Sequence, residues 1–121
     1  MSESTTQMAD TGLTIAIDFD GTLARDPSLF NRLIAIIQMS GHTAVLVTGR
    51  AMGTPHETEV RRVIERMPHK IPMVFAGPQW KRQAALEAGY KIDIWIDDMP
   101  EYVGPQDPEA PMVKIRQGVS P

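Results

Sequence analysis

Apolar runs recur along the chain, each cut short by polar residues or glycine. Leu13-Thr14-Ile15-Ala16-Ile17 stops at Asp18-Phe19-Asp20-Gly21-Thr22, and Thr43-Ala44-Val45-Leu46-Val47 stops at Thr48-Gly49-Arg50. Short, nearly continuous runs rich in β-branched residues predict strands buried on both faces. Residues 71–76 and 92–96 predict a third and a fourth strand; Pro72 weakens the start of the third, and the fourth delivers Asp97-Asp98. Residues 112–115 predict a short fifth.

Between these runs the period changes to that of a helix. Residues 28–39 place Leu29, Phe30, Leu33, Ile34, Ile36 and Ile37 at helical spacing, with Gly41 suited to the stop. Thr54-Pro55-His56-Glu57 fits a capping box with proline at the first helical position. Val60, Val63, Ile64 and Met67 then form one apolar face, ended by Pro68. A third helix is expected over 79–88, stopped by Gly89, while the prolines of 104–111 exclude regular structure there.

Alternation of strand and helix predicts an α/β fold: a three-layer Rossmann-like sandwich with a mainly parallel sheet of about five strands. The expected organisation is a flexible tail over 1–12, a single domain over 13–117 and a frayed end over 118–121. A chain of 121 residues has room for one such core. The absence of Cys removes disulfide scaffolds, thiol nucleophiles and cysteine-ligated metals. No apolar run approaches the roughly 18 residues of a membrane span, and the first ten residues lack signal-peptide features. A cytoplasmic protein with no membrane partner is therefore expected. The net charge of −3 is uninformative by itself. Its distribution is uneven, with eight basic against four acidic residues between Arg50 and Lys91.

In parallel sheets, ligands bind outside the carboxyl ends of the strands. The polar clusters fall at that edge. Four carboxylates there (Asp18, Asp20, Asp97 and Asp98) are costly: at about 6 Å and an effective dielectric near 20, each pair repels by roughly 3 kcal/mol. A compensating cation or a raised carboxyl pKa is required. With neither Cys nor His at these strand ends, the donors are hard oxygens, which suit Mg²⁺. Lys81 lies in the first turn of a helix that begins at the same edge, 16 residues before Asp97, and Thr48 offers a hydroxyl and backbone N–H groups. Such a set suits a phosphoryl group, whose transfer depends mostly on positioning and charge neutralisation.

The order Asp18-Phe19-Asp20-Gly21-Thr22, Thr48-Gly49-Arg50, Lys81, Asp97-Asp98 resembles the four motifs of the haloacid dehalogenase superfamily of phosphatases. The resemblance spans about residues 13–103. It implies that Asp18 is the nucleophile that forms an aspartyl-phosphate, and that Asp20 is the general acid and then base. It further implies that Thr48, Gly49 and Lys81 hold the phosphoryl oxygens. Mg²⁺ would be held by Asp18, the Asp20 backbone carbonyl and at least one of the adjacent pair Asp97 and Asp98. The gaps between motifs leave no room for an inserted cap domain, so the resemblance is to minimal, capless members. Their cleft is open unless a second copy covers it, and admits small-molecule or chain-end phosphomonoesters. The positive middle segment tilts the substrate toward a nucleotide or a nucleic-acid end.

Two other readings compete. A non-catalytic phosphate- or Mg²⁺-binding regulatory module would keep the fold, although loss of Asp20 or Lys81 would be expected in it. A receiver-type phosphoacceptor would carry its paired acids near the first strand, whereas Asp97-Asp98 comes late. Trp95 is expected in the core, and Trp80 between helix and sheet. His42, His56 and His69 read as surface residues. Arg61, Arg62 and Arg66 read as a solvated face, with Glu57 placed to pair with Arg61.

Overall fold

The computed structural model describes residues 12–104 and 112–116. The strands are β1 (Thr14–Ile17), β2 (Thr43–Thr48), β3 (Met73–Phe75), β4 (Ile94–Asp97) and β5 (Met112–Lys114). Three helices alternate with them: α1 (Pro27–Met39), α2 (Pro55–Glu65) and α3 (Lys81–Glu87). Short 3-10 turns at Leu23–Arg25 and Pro100–Tyr102 follow β1 and β4. All four strand pairings are parallel. The α/β class and the five-stranded parallel sheet are those the sequence predicts. Residues 1–11, 105–111 and 117–121, which hold most of the expected tail, the Pro-rich stretch and the frayed end, lie outside the described residues.

The strand order is β3-β2-β1-β4-β5, with β1 at the centre. The chain therefore steps one way across the sheet from β1 to β3, then returns to place β4 on the other side of β1. A constant crossover hand requires helices on one face for the outward steps and on the opposite face for the return. The packing obeys this. Phe30, Ile34 and Ile37 of α1 and Val60 and Ile64 of α2 share a core with Ile17, Ala44 and Leu46. Ala84 and Ala85 of α3 share a second core with Ala16, Val45, Val47, Val74 and Trp95. Alternate strand residues thus feed opposite cores, which explains the unbroken apolar runs.

Several boundaries differ from the sequence reading, each for a local reason. Ile71 and Ile92 are buried, but β3 and β4 begin two residues after them. Pro72 has no N–H to give, and its carbonyl accepts from the Leu46 N–H at 2.9 Å. Asp93 imitates a ladder partner: its N–H donates to the Thr14 carbonyl, and its Oδ2 accepts the Thr14 N–H at 2.8 Å. The capping box at Thr54 does not form. The Thr54 hydroxyl donates to the Ala51 carbonyl, and the Glu57 carboxylate accepts from the Gly53 N–H and from Arg61. On α1, Leu29 and Ile36 face outward, 53% and 61% exposed.

This last difference gives a stability test. Ile34→Ala removes a fully buried side chain and should cost about 2–5 kcal/mol, whereas Ile36→Ala should cost less than about 1 kcal/mol. Urea denaturation midpoints at constant slope measure both.

Candidate active site

The switch in strand order lies between β1 and β4, and there the chemistry collects. Asp18 follows β1 directly, and its N–H still bonds the Ile96 carbonyl at 3.0 Å, so the ladder fixes it. The next residues form a tight loop closed by Leu23 N–H to the Asp18 carbonyl and Ala24 N–H to the Phe19 carbonyl. Side chains alternate along it. Asp18 is buried at the floor, Phe19 enters the core, Asp20 is exposed, and Thr22 turns back to donate its hydroxyl to Asp18 Oδ2 at 3.1 Å. Gly21 has a φ of +76°, and a Cβ there would run into the Asp98 carboxylate. Both facts demand glycine.

Lys81, the first residue of α3, sends its ammonium into the floor. Its Nζ donates to Asp18 Oδ1 and to Asp97 Oδ2, both at 2.7 Å. All three side chains are at most 5% exposed. The other Asp97 oxygen accepts the Met99 N–H at 2.8 Å, so Asp97 is fully engaged behind the cleft. One ammonium faces three carboxylates here, because Asp98 stands beside Asp18. Burial pushes the Asp18 carboxyl up to about 7; Lys81 opposes that, and Asp97 and Asp98 add to it. Burial likewise raises Asp97. For Lys81 burial pulls downward, but Asp18 and Asp97 outweigh it and hold the ammonium above its ordinary value.

One oxygen from each of Asp18, Asp97 and Asp98 lies within 4.8 Å of the others. This oxygen-only set, carrying more negative charge than Lys81 balances, fits a hard divalent cation. The Asp20 side chain is not part of it. Arg50 holds Asp20 from the rim of β2, Nε to Oδ2 at 2.9 Å and Nη2 to Oδ1 at 2.6 Å. Arg50 also packs over the Phe19 ring, and reaches Glu59 and the His56 carbonyl on α2.

A cleft of about 590 Å³ opens over this floor. Asp18, Asp20, Gly21, Gly49, Lys81 and Asp98 line its polar half. Thr48 does not line it: the side chain is fully buried, and its hydroxyl accepts the Arg50 N–H. Gly49 does, with room for a Cβ 3.9 Å from the Lys81 side chain. Trp80 is the clearest departure from expectation. It is 53% exposed on the cleft wall rather than packed between helix and sheet, while Trp95 is buried as expected. Sequence reasoning also gave no role to Thr22 or Arg50. Thr22 ends the first motif and Arg50 the second, so strand adjacency was the signal that could have found them.

No family model, curated protein or solved structure matches this chain. No helix among the described residues is long and apolar enough to cross a membrane.

The site makes two predictions. Gly21→Ala should push the Asp98 carboxylate aside and weaken divalent-cation binding at least tenfold, read by calorimetric titration. The second concerns pH. A carboxyl that titrates near 7 when folded and near 3.8 when unfolded binds more protons in the folded state between those values, so native stability falls as pH rises through that window. Asp18→Asn removes the effect. In chelator, the melting temperature of the variant minus that of the native protein should rise from pH 4 to 8, by the equivalent of roughly 4 kcal/mol at most. A flat difference would sink the assignment.

Proposed function

We propose that the protein is a Mg²⁺-dependent phosphomonoester hydrolase working through an aspartyl-phosphate. The reading rests on the resemblance to the haloacid dehalogenase superfamily. The observation that carries it is the convergence of Asp18, Lys81, Asp97 and Asp98 on one cleft floor, with Asp20 at the rim above.

Asp18 attacks phosphorus as the bond to the leaving oxygen breaks, and Asp20 protonates that oxygen. Water then attacks the aspartyl-phosphate, passing a proton to Asp20, and phosphate departs as the Asp18 carboxylate is restored. Arg50 bonds both Asp20 oxygens and so favours the carboxylate, and protonating Asp20 for the first step works against that pair. Lys81 fixes the rotamer of Asp18 and offsets its charge. The Gly49 backbone lines the cleft near the Lys81 side chain, where phosphoryl oxygens need donors. Asp18 and Asp98 would hold Mg²⁺, with the Asp20 carbonyl as the resemblance implies, supplying positive charge against the phosphoryl oxygens. Asp97, engaged with Lys81 and the Met99 N–H, acts as the support behind them.

Between Gly21 and Thr48, and between Arg50 and Trp80, the chain spends its length on a helix and a strand, so no cap is inserted. An open cleft of this kind accepts small-molecule or chain-end esters. The Arg50 clamp on Asp20 favours one rival, a binding module without turnover.

Activity separates the two. Native protein with Mg²⁺ should release phosphate from a panel of monoesters, and chelator should abolish it. Asp18→Asn should be inactive, and Asp20→Asn slower by about 10²–10⁴. Calorimetric binding of Mg²⁺ and a phosphate mimic with no release from any ester would install the rival reading instead.

A further inference from the structure

The cleft lining is of two chemical kinds, charged and aromatic, and the proposed catalysis accounts for only the first. Besides the acidic floor, the cleft is lined by Pro78, Gln79, Trp80, Met99 and Tyr102. Trp80 and Tyr102 are 53% and 56% exposed, an unusual cost for two large aromatic side chains in one place. They are held there by backbone. The Arg82 N–H donates to the Val103 carbonyl at 3.0 Å, tying the start of α3 to the Pro100–Tyr102 turn. Gly104, with φ +124°, lies so close to Trp80 that a Cβ would stand 3.3 Å from the Trp80 Cβ. The aromatic wall is thus braced from both strands' loops.

Depth supplies the next step. Asp18 and Lys81 are buried at the floor, 5% and 4% exposed, whereas the aromatic pair stands at the rim. A planar group bonded directly to the phosphoryl oxygen would sit at the floor beside carboxylates. A planar group that reaches the wall must be carried on a spacer. The volume, about 590 Å³, is well beyond what a phosphoryl group needs and typical of small-molecule sites.

We propose that Trp80 and Tyr102 form a base-stacking subsite, and that the substrate is a terminal nucleotide, its base separated from the reacting phosphomonoester by the sugar. This rests on the phosphatase reading and narrows it. The terminal nucleotide is free or at the end of a nucleic-acid strand; both present the same base, sugar and phosphomonoester. Stacking on aromatic side chains tolerates any base, because every base has a π-face.

The test compares adenosine 5′-monophosphate, a 5′-phosphorylated oligonucleotide, ribose 5-phosphate and phenyl phosphate on the full chain with Mg²⁺. The nucleotide should exceed ribose 5-phosphate and phenyl phosphate in kcat/KM by roughly 5- to 150-fold, the value of one stacked base. Trp80→Ala and Tyr102→Ala should each collapse the nucleotide-to-ribose-phosphate ratio toward one, and Trp80→Tyr should restore it. The oligonucleotide arm distinguishes a free nucleotide from a strand end. A second readout needs no turnover: in chelator, adenosine 5′-monophosphate should quench tryptophan emission in the native protein but not in Trp80→Phe, where only the buried Trp95 emits. Equal rates on base-bearing and base-free esters, phenyl phosphate matching the nucleotide, or no quenching would overturn the subsite. Quenching without phosphate release from any ester would instead sink the phosphatase and leave the subsite standing.

Discussion

A single buried ammonium shared between two carboxylates, with a third alongside, sets the terms for the whole molecule. Asp18, Asp97 and Lys81 are almost entirely removed from water, and Asp98 stands next to Asp18. Removing one partner of such a pair typically costs about 3–5 kcal/mol, because the remaining charge loses its solvent and its counterion together. Yet the pair does not recommend itself as a stabiliser. Apolar residues of like volume would do as well or better. Negative charge left over at a strand end, inside a cleft, with a carboxyl driven toward neutrality by burial, marks a candidate functional site.

The topology brings these groups together at little local expense. Because β4 returns to the centre beside β1, two strand ends 79 positions apart, at Asp18 and Asp97, become neighbours by ordinary parallel pairing. The return crossover also carries α3 to the opposite face, so the first turn of that helix begins at the same edge. Lys81 then needs only its own length to reach both carboxylates. The loop after β1 contributes the remaining precision through Gly21, whose backbone makes way for Asp98.

The fold was legible because each buried strand is written twice, once for each core. Ile17 and Leu46 serve one core and Ala16 and Val45 the other, leaving no polar position to blur the period. The acidic residues and Lys81 were legible for a related reason: each directly follows an apolar run or opens a helix at the functional edge. What escaped was set by neighbours distant in sequence. Trp80 looks like any aromatic residue before a helix, and only the turn after β4, reached through Arg82 and Gly104, turns it toward the cleft. Arg50 reads as an ordinary turn residue until β2 is laid beside β1, when it meets Asp20. The capping pattern at Thr54 failed because Ala51 and Gly53 offered closer partners to the same two side chains.

An open cleft shifts the burden of control onto side-chain geometry. In the proposed hydrolysis a lid would exclude water until the leaving group had gone; without one, the order of events would come from how each acid is held. Asp18 is fixed by Thr22 on one oxygen and Lys81 on the other, so its orientation is set before any substrate arrives. Asp20 is held differently, by a guanidinium that also bonds Glu59 and the His56 carbonyl on α2 and rests on Phe19. That clamp ties Asp20 to the N-terminal turns of α2. An ester whose leaving oxygen meets Asp20 would compete with Arg50 for that carboxylate. In the proposed hydrolysis, substrate binding and release of the acid would then be one movement, and the clamp would do part of the work of a cap.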